Sequence, residues 1–363
     1  MTAVYLSQFH LSSALATDLP QAAARYAKGE LPLPSYAEDA LSLPYFAVTG
    51  ADLALHERLH QLLQTTLDAA GLAASECLLL VASTALDVSL LEQRLEQGQP
   101  LSYALMPSFD SFKHKLTAEF DFAAVRIINT ACTSAANALL YGQRLLQAGL
   151  YRHVLILAFE PPGKITRSGF STLELTSSSG QYRPFHPQRD GLILGEAYAT
   201  VVVSTLPDNT PTAELLGGYS ACDTYNITTT SEDGSHIAQV MQLALEQSRV
   251  NPAHLALLKL HGTATPANDT AEQNGIRRLF ADKVPPLAVL KPYLGHTLGA
   301  CGLSELALLF ASAQESTIPA LPYASEASLP FSHEEVALKS QDIVMANFFG
   351  FGGNNASLLL RKC

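Results

Sequence analysis

The feature that most constrains the fold of this chain is the alternation of short apolar runs with segments of helical periodicity. Apolar runs at 77–83, 124–130, 153–159 and 256–260 have the length and composition of buried strands. Over residues 52–71, leucines recur at the spacing of an amphipathic helix. Together these patterns predict an α/β protein with a largely parallel or mixed sheet.

The remaining segments continue this alternation, and the two parts of the chain show the same coarse order. We therefore divide the chain into halves, 1–205 and 206–363, that form one compact unit. We predict loops at 161–190 and 291–295. Further helices are predicted at 86–97, at 134–148, at 236–248, from Asp269 to Phe280 and from His296 onward, and further strands at 3–7, at 191–204 as a pair or a bulged strand, at 286–290, at 342–347 and at 355–361.

Composition excludes several classes of function. Hydrophobic residues make up 48% of the chain and charged residues only 15%, which indicates a packed globular protein rather than a disordered one. The net charge of -11 and the absence of long Lys/Arg runs disfavour nucleic-acid binding. No apolar stretch reaches the roughly 18 residues of a transmembrane helix, so no membrane span is expected.

Cysteine usage and the N-terminal residues suggest a cytoplasmic location. The five cysteines are widely spaced and include no CxxC pair, so we expect neither a disulfide framework nor a metal site. The opening residues, MTAVYLSQFHL, lack the positively charged segment and apolar run of a secretory signal.

Cys132 lies where the predicted strand 124–130 passes into the predicted helix 134–148. Unpaired N–H groups at a helix N-terminus carry partial positive charge, which lowers the pKa of a thiol. The same groups can hold an oxyanion when the thiolate attacks a thioester carbonyl. Cys132 is therefore a candidate nucleophile, although a buried cysteine that acts as a small apolar residue is the alternative.

Two histidines stand in loop-like contexts. His261 follows the apolar run 256–260, and the hydroxyls of Thr263 and Thr265 after it are spaced to face one side. His296 follows a glycine and precedes a Gly/Ala-rich segment. Both suit an active-site loop, and both also suit structural roles, as a turn histidine or a helix N-terminal residue.

Two further features complete the candidate site. Lys291 can pair with a carboxylate such as Glu272, or it can lie in solvent as most lysines do. Three glycines surround Phe351 in the segment 347–355 and permit unusual backbone conformations. This turn can present a backbone N–H to an oxyanion, and the Phe351 side chain can gate access to the site. Neither glycine-rich nucleotide-binding motif is present.

In combination, these segments resemble the β-ketoacyl-acyl-carrier-protein synthases of the elongating Cys-His-His class, including the type II polyketide and polyene ketosynthase subunits. The segments occur in the family's order and span most of the chain. The matching stretches are TACTSAANAL at 130–139, RPFHPQRDGLILGE at 183–196, HGTATPANDTAE at 261–272, KPYLGHTLGACG at 291–302 and NFFGFGGNNASL at 347–358.

The resemblance implies a thiolase-like layered αβαβα fold built from two pseudo-repeated halves, with Cys132 in the first and both histidines in the second. It implies that Cys132 accepts an acyl chain and that His261 and His296 assist decarboxylation of a malonyl thioester. The backbone N–H groups of Cys132 and Phe351 would form the oxyanion hole, and Phe351 would gate the acyl pocket.

Other implied roles concern the supporting residues and the partners. Lys291 and Glu272 would pair behind the histidines, and Thr263 and Thr265 would contact a phosphopantetheine arm. That arm would arrive on an acyl carrier protein, so no bound cofactor is expected. The resemblance also implies a dimer, either of two identical chains or with a sister ketosynthase-like subunit.

The sequence departs from the family's pattern at several positions outside the reactive set. Phe348 stands where serine is usual, Asn354 where threonine is usual, and Lys259 where a small or acidic residue is common. One alternative is therefore a catalytically silent partner of the chain-length-factor kind, although such partners usually lack the nucleophilic cysteine. A thioester hydrolase is a further alternative, which the intact histidine pair disfavours.

Overall fold

A mixed ten-stranded sheet organises the chain. A computed structural model describes residues 2–36, 42–49, 53–100, 108–206, 210–228, 230–315, 317–325, 329–331 and 334–363. The strands are β1 (Tyr5–Ser13), β2 (Ser35–Tyr36), β3 (Pro44–Phe46), β4 (Cys77–Ala82), β5 (Ala124–Ile128), β6 (His153–Glu160), β7 (Leu194–Gly195), β8 (Ala197–Ser204), β9 (Ala213–Cys222), β10 (Leu255–Lys259), β11 (Leu287–Ala288), β12 (Ile343–Phe349) and β13 (Asn354–Lys362). The helices are α1 (Leu19–Ala27), α2 (Leu55–Ala70), α3 (Val88–Glu96), α4 (Phe109–Glu119), α5 (Ser134–Gln147), α6 (Lys164–Thr172), α7 (Ser235–Ser248), α8 (Pro266–Phe280), α9 (Lys291–Leu294) and α10 (Cys301–Glu315).

The strand order of the large sheet repeats itself. The order is β11-β10-β12-β13-β9-β1-β8-β6-β4-β5, while β2, β3 and β7 form a small separate sheet. In one half β5, β4 and β6 run parallel and β8 and β1 follow antiparallel; in the other, β11, β10 and β12 run parallel and β13 and β9 follow antiparallel. Only two residue pairs, Tyr5 with Glu214 and Leu6 with Ala213, join the halves through β1 and β9. The chain boundary predicted at residue 205 stays a prediction.

Three apolar clusters show how the layers stack. In β4, Leu78 and Leu80 face a central cluster that contains α5 and α10, whereas Leu79 and Val81 face an outer cluster with α2 and α4. A third cluster joins α7 and α8 to the outer face of the second half-sheet, where Met345 of β12 lies. Successive side chains along a strand point to opposite faces of the sheet, so each half-sheet has one apolar cluster on either face. The layers therefore follow the order α, β, α, β, α.

Local sequence explains why β4 and α5 form and pack as they do beside the candidate nucleophile. The run CLLLVA of β4 is buried throughout, as expected for a strand covered on both faces. Helix α5 carries alanine and glycine on its buried side, and an added Cβ at Gly142 would lie 3.3 Å from Val154 of β6. Small residues therefore let this central helix approach the sheet closely.

Most predicted elements are confirmed, but three predictions need correction. The segment 161–190 is not all loop, since α6 lies within it. Its first turn is capped from another helix, because Glu92 of α3 accepts the backbone N–H groups of Lys164 and Ile165 at 2.8 Å each. A cap supplied from a distant part of the chain leaves no local signal in the sequence.

The other two corrections concern the segment around His296. Residues 291–294 form the short helix α9 rather than a loop, and α10 begins at Cys301, five residues after His296. His296 is instead extended: its backbone N–H donates to Ile193 at 2.7 Å, and its carbonyl accepts the N–H of Gly195 at 3.1 Å. Pairing with the chain around β7 therefore holds His296 outside any helix.

The structure also contains elements that the sequence did not predict. Helices α1 and α4 and strand β9 are absent from the predictions, and β1 continues to Ser13 instead of ending at residue 7. Within the described ranges, no helix is both long enough and apolar enough to cross a bilayer.

Candidate active site

A pocket of about 410 Å³ brings the predicted reactive residues together from both halves of the fold. Behind it lie Lys291 and Glu272, which are fully buried. The predicted residues in its wall are Cys132, His261, His296, Thr263, Thr265 and Phe351.

Cys132 sits just before α5, as predicted. Thr133 is the residue that precedes the first turn, and Ala131 adopts a left-handed φ of 53°, which bends the chain between β5 and the helix. On the opposite side, Gly350 packs against the nucleophile: a Cβ added there would lie 3.0 Å from the backbone nitrogen of Cys132. The backbone N–H groups of Phe351 and of Cys132 itself act on the thiol and favour its thiolate form.

Contrary to the prediction, the pKa of the Cys132 thiol is raised, to about 11. Burial is the main cause, because only 4% of the residue is exposed and water cannot solvate a thiolate there. The two backbone N–H groups and the ammonium of Lys291 lower the pKa, but they offset only part of the desolvation. In the absence of substrate, Cys132 is therefore a thiol near neutral pH.

His261 is held by a carboxylate on its backbone and a lysine on its ring. Glu272 of α8 accepts the N–H of His261 at 2.7 Å and that of Gly262 at 2.8 Å. The ammonium of Lys291 lies 3.2 Å from Nδ1 of His261. Because an ammonium can only donate, Nδ1 must accept, and the proton of the neutral ring is on Nε2.

The two imidazoles are neighbours and both are neutral. Their ring centroids lie 5.5 Å apart with the planes nearly perpendicular, at 84°. Burial lowers the pKa of His261 and of His296 well below the usual range, and the nearby ammonium groups of Lys291 and Lys259 lower both further. Nδ1 of His296 is buried and has no hydrogen-bond partner among the described residues.

The predicted pairing of Lys291 with Glu272 is wrong. Lys291 binds Glu305 of α10 instead, at 2.7 Å. Both carboxylate oxygens of Glu272 accept backbone N–H groups of the His261 loop. Burial is the largest influence on the pKa of Lys291 and acts to lower it, but Glu305, Cys301 and Glu272 together outweigh burial, so the net change is upward.

Sequence reasoning therefore missed Glu305, and it missed Lys259, which contacts the other oxygen of the same carboxylate. One signal was available for the glutamate. Glu305 is a charged residue within the apolar helical run Leu303 to Phe310, a position where an acidic side chain needs a buried cation.

The two threonines face the pocket together, as their spacing predicts. Their hydroxyl oxygens lie 2.8 Å apart. The backbone N–H groups of Thr263 and Ala264 donate to Asp269, at 3.1 and 3.2 Å, and Asp269 also accepts the N–H of Phe185 at 2.7 Å. Asp269 was predicted only as the first residue of a helix, yet its carboxylate binds the backbone of the threonine loop.

Phe351 forms part of the pocket wall, where it stacks on Phe170. The ring centroids lie 5.2 Å apart and the planes are tilted by only 13°. Phe170 belongs to α6, the helix that the sequence did not predict. The glycine turn after Phe351 has the unusual backbone that its sequence predicts, with left-handed φ values of 72° and 73° at Gly352 and Gly353.

Comparisons with known proteins agree with this arrangement. The family described as "Beta-ketoacyl synthase, N-terminal domain" matches residues 115–209, and "Beta-ketoacyl synthase, C-terminal domain" matches residues 212–323, together more than half of the chain. The 3-oxoacyl-[acyl-carrier-protein] synthase 2 of Rhizobium meliloti is 30% identical over 251 residues, which are 64% of this chain and 59% of that protein. The Synechocystis protein of the same name is 28% identical over 250 residues, 64% of this chain and 60% of that one. The match thus spans about 60% of the length of these relatives.

Solved ketosynthase structures share the fold over the full length. A chain of the complex of the ketosynthase ApeO with its chain length factor ApeC from Xenorhabdus doucetiae has a TM-score of 0.86 at 23% identity and covers 100% of this chain and 98% of that one. A β-ketoacyl synthase from Burkholderia phymatum has a TM-score of 0.84 at 24% identity and covers 100% of both chains. The predicted thiolase-like α/β fold is confirmed, and the chain belongs to the β-ketoacyl synthase family.

Proposed function

We propose that the chain is a β-ketoacyl synthase that catalyses decarboxylative Claisen condensation between a malonyl-carrier protein and an acyl chain held on Cys132. The observation that carries this proposal is the pairing of one thiol with two neutral, buried imidazoles in one pocket. Each neutral imidazole carries one N–H that can donate to the oxygen of a developing enolate, which suits carbon–carbon bond formation.

The first step loads the nucleophile. The sulfur of Cys132 attacks the carbonyl carbon of the acyl-carrier thioester, and the new S–C bond replaces the bond to the phosphopantetheine sulfur. The thiol proton leaves with that sulfur as the carrier thiol. The N–H groups of Cys132 and Phe351 would hold the oxyanion of the tetrahedral intermediate, since both act on the sulfur to lower its pKa.

The second step makes and uses the carbon nucleophile. The bond between the malonyl α-carbon and its carboxylate breaks, carbon dioxide leaves, and the electron pair forms an enolate on the thioester. The Nε2–H of His261 donates to the enolate oxygen, and His296 lies beside it. The α-carbon then attacks the acyl carbonyl on Cys132, and the cysteine sulfur leaves as a thiolate, which completes the β-ketoacyl product on the carrier. The thiolate takes up one proton from water, which restores the thiol.

Thr263 and Thr265 would contact the phosphopantetheine arm. They lie with Pro266, Ala267 and Asn268 in the pocket wall, so two hydroxyls are available to amide groups of an entering chain. The arm belongs to the substrate carrier, so the proposed reaction requires no bound cofactor. The substrate would be a fatty-acid or type II polyketide or polyene intermediate.

We also propose the carrier protein and a second ketosynthase-like chain as partners, in the cytoplasm. Structures with this fold include ketosynthase–chain length factor complexes and a type II polyketide synthase acyl carrier protein in complex with its ketosynthase. Light scattering on the purified chain, alone and after co-expression with a sister subunit, distinguishes a homodimer from a heterodimer.

Intact-mass analysis tests the function directly. The protein is incubated with an acyl-carrier thioester, and a mass gain of one acyl group is expected for the wild type and not for Cys132→Ala. Cys222 is exposed and free, so Cys222→Ala is the matched control and should load normally. Addition of malonyl-carrier protein should then release the acyl group as β-ketoacyl-carrier.

The same experiment separates the proposal from a silent chain-length-factor role. A protein that takes up no acyl group of any length, yet supports condensation when mixed with an active sister subunit, would contradict the enzyme assignment. Hydrolysis of the loaded acyl group in the absence of malonyl-carrier would indicate a thioester hydrolase.

A further inference from the structure

Lys259 is a fully buried lysine that the proposed mechanism does not use. It ends β10, two residues before His261, and its side chain has no exposed surface. The ammonium pairs with Oε2 of Glu305, donates to the carbonyl oxygen of Asn347 at 2.8 Å and lies 3.6 Å above the ring centroid of Phe348. A carboxylate, a carbonyl and an aromatic face together fix this cation in one position.

Each carboxylate oxygen of Glu305 therefore forms an ion pair with a different lysine. Lys291 contacts Oε1 at 2.7 Å, and Lys259 contacts Oε2. The cluster of these three side chains holds two cations and one anion, so it has one net positive charge in a region without solvent exposure. Burial of an uncompensated charge is unfavourable, and an apolar side chain would fill the same space without that penalty. The excess charge thus needs an explanation beyond packing.

The excess charge acts on the catalytic histidines. Lys259 is among the charges that depress the pKa of both His261 and His296, after burial and Lys291. A fixed cation behind an imidazole also strengthens its N–H as a donor toward negative charge that develops in front of it, and it does so most in a site without water.

We infer that Lys259 is a positioning residue of the condensation site, which shares Glu305 with Lys291 and adds a fixed positive charge that reinforces the neutral state of His261 and His296 and strengthens their donation toward the enolate. This inference deepens the proposed function and rests on it for its kinetic consequence. Its electrostatic consequence, the protonation state of the two rings, does not depend on any substrate.

The other titratable groups around Lys259 do not cancel this effect below neutral pH. Burial raises the pKa of Glu272 to about 7, so this carboxylate loses charge as the pH falls. Burial also raises the pKa of Cys301, which stays a neutral thiol. Lys259 itself has a pKa lowered to about 8, mainly by burial and partly by Lys291, so it is charged at neutral pH and below.

Two substitutions separate the charge of Lys259 from its bonds. Lys259→Met removes both charge and donors at similar length, whereas Lys259→Gln removes the charge and keeps a donor for Asn347. Lys283→Met is the matched control, because Lys283 is exposed beyond the end of α8. The readouts are kcat and KM for condensation, and the titration of both histidines by ¹⁵N NMR, assigned with His261→Asn and His296→Asn.

Both Lys259 variants should lower kcat at least about tenfold with little change in KM, since the lost interaction is with the enolate and not with the bound substrate. The pKa of each histidine should rise by about one unit or more. Lys283→Met should change neither. Ethylammonium should restore part of the rate to Lys259→Ala, because the vacated space is lined by oxygens of Glu305 and Asn347.

Wild-type activity in Lys259→Gln would overturn the inference, because a neutral donor would then be sufficient. Unchanged histidine titrations in the Lys259 variants would overturn it as well. If Lys259→Met does not fold, the comparison of Lys259→Gln with the wild type decides. If the wild type itself forms no β-ketoacyl product, the proposed function fails, and the histidine titrations still judge the role of Lys259.

Discussion

Replacing Glu305 by glutamine should destabilise the protein strongly, because it leaves two buried ammonium groups without their shared anion. Breaking a buried ion pair by removal of one partner costs about 3–5 kcal/mol. For a chain of 363 residues, an unfolding entropy of about 2.1 cal/mol/K per residue converts this range into a Tm decrease of about 4–7 °C. Condensation should fall together with stability, since Lys291 loses the group that holds it against His261.

The assay is thermal unfolding of four proteins at one concentration: the wild type, Glu305→Gln, Lys259→Met and the double variant. Part of the penalty in Glu305→Gln comes from the uncompensated ammonium of Lys259. Removal of that ammonium should therefore raise the Tm of Glu305→Gln by more than it changes the Tm of the wild type, where Glu305 pairs with the ammonium. Glu272→Gln is the matched control, because Glu272 holds backbone N–H groups and its loss should not be repaired by Lys259→Met.

The loss of stability in Glu305→Gln, measured as its Tm difference from the wild type, should become smaller as the pH rises. The folded pKa of Lys259 lies at about 8, below the value of an unfolded lysine, and loss of Glu305 lowers it further. The unfolded chain then binds more protons than the folded variant over a wider pH range, so stability of Glu305→Gln rises with pH. The Tm difference from the wild type should therefore shrink between about pH 6 and about pH 8.

Two results would refute this reasoning. If Lys259→Met changes the Tm of Glu305→Gln by the same amount as that of the wild type, the two side chains are not coupled. If Lys259→Met repairs Glu272→Gln equally well, the repair is a general effect of an apolar substitution and not the removal of an unpaired charge.

Three further predictions follow from the same geometry. Glu272→Gln keeps one acceptor oxygen for two buried N–H groups, so it should cost about 1–3 kcal/mol in unfolding free energy and lower kcat, as thermal unfolding and condensation assays will show. Alkylation of Cys132 by iodoacetamide should accelerate about tenfold per pH unit from about pH 7 to about pH 9, because its pKa is about 11 and the thiolate fraction limits the rate; a plateau in that range would contradict the burial argument. Gly350→Ala should slow acyl loading at least about tenfold, since its Cβ would lie 3.0 Å from the nitrogen and 3.3 Å from the Cβ of Cys132, whereas Gly169→Ala, with no atom within 4 Å, should load normally in the same mass assay.

Much of the fold and the reactive set could be predicted from sequence because the signals are local. A buried run such as 77–82 and a leucine repeat such as that of 55–70 carry their own periodicity. Cys132 before a helix and His261 after a strand are likewise positions that neighbouring residues define. Predictions failed where the partner is distant in sequence: α6 is capped by Glu92, and His296 is held extended by the chain at 193–195.

The charged residues behind the histidines show the same limit more sharply. Lys291 has two buried carboxylates within electrostatic range, Glu272 and Glu305, and proximity in sequence does not distinguish them. Only the folded positions of α8 and α10 assign Glu272 to the backbone of the His261 loop and Glu305 to the lysines. Lys259 was recognised as unusual for the family, but its partners come from α10 and β12, far along the chain.

Burial has opposite consequences for the two kinds of catalytic group in this pocket. It keeps His261 and His296 neutral, as the proposed decarboxylation step requires, and it raises the pKa of Cys132, which works against the proposed acylation step. A cationic histidine beside the sulfur would reverse both effects, since it would favour the thiolate and lose its value as a neutral donor. The groups that lower the pKa of Cys132 are instead ones that do not titrate near neutral pH. They are the backbone N–H groups of Cys132 and Phe351 and the ammonium of Lys291. Acylation should therefore depend on an entering thioester whose departing sulfur takes the thiol proton, whereas decarboxylation relies on the resting charge state of the pocket.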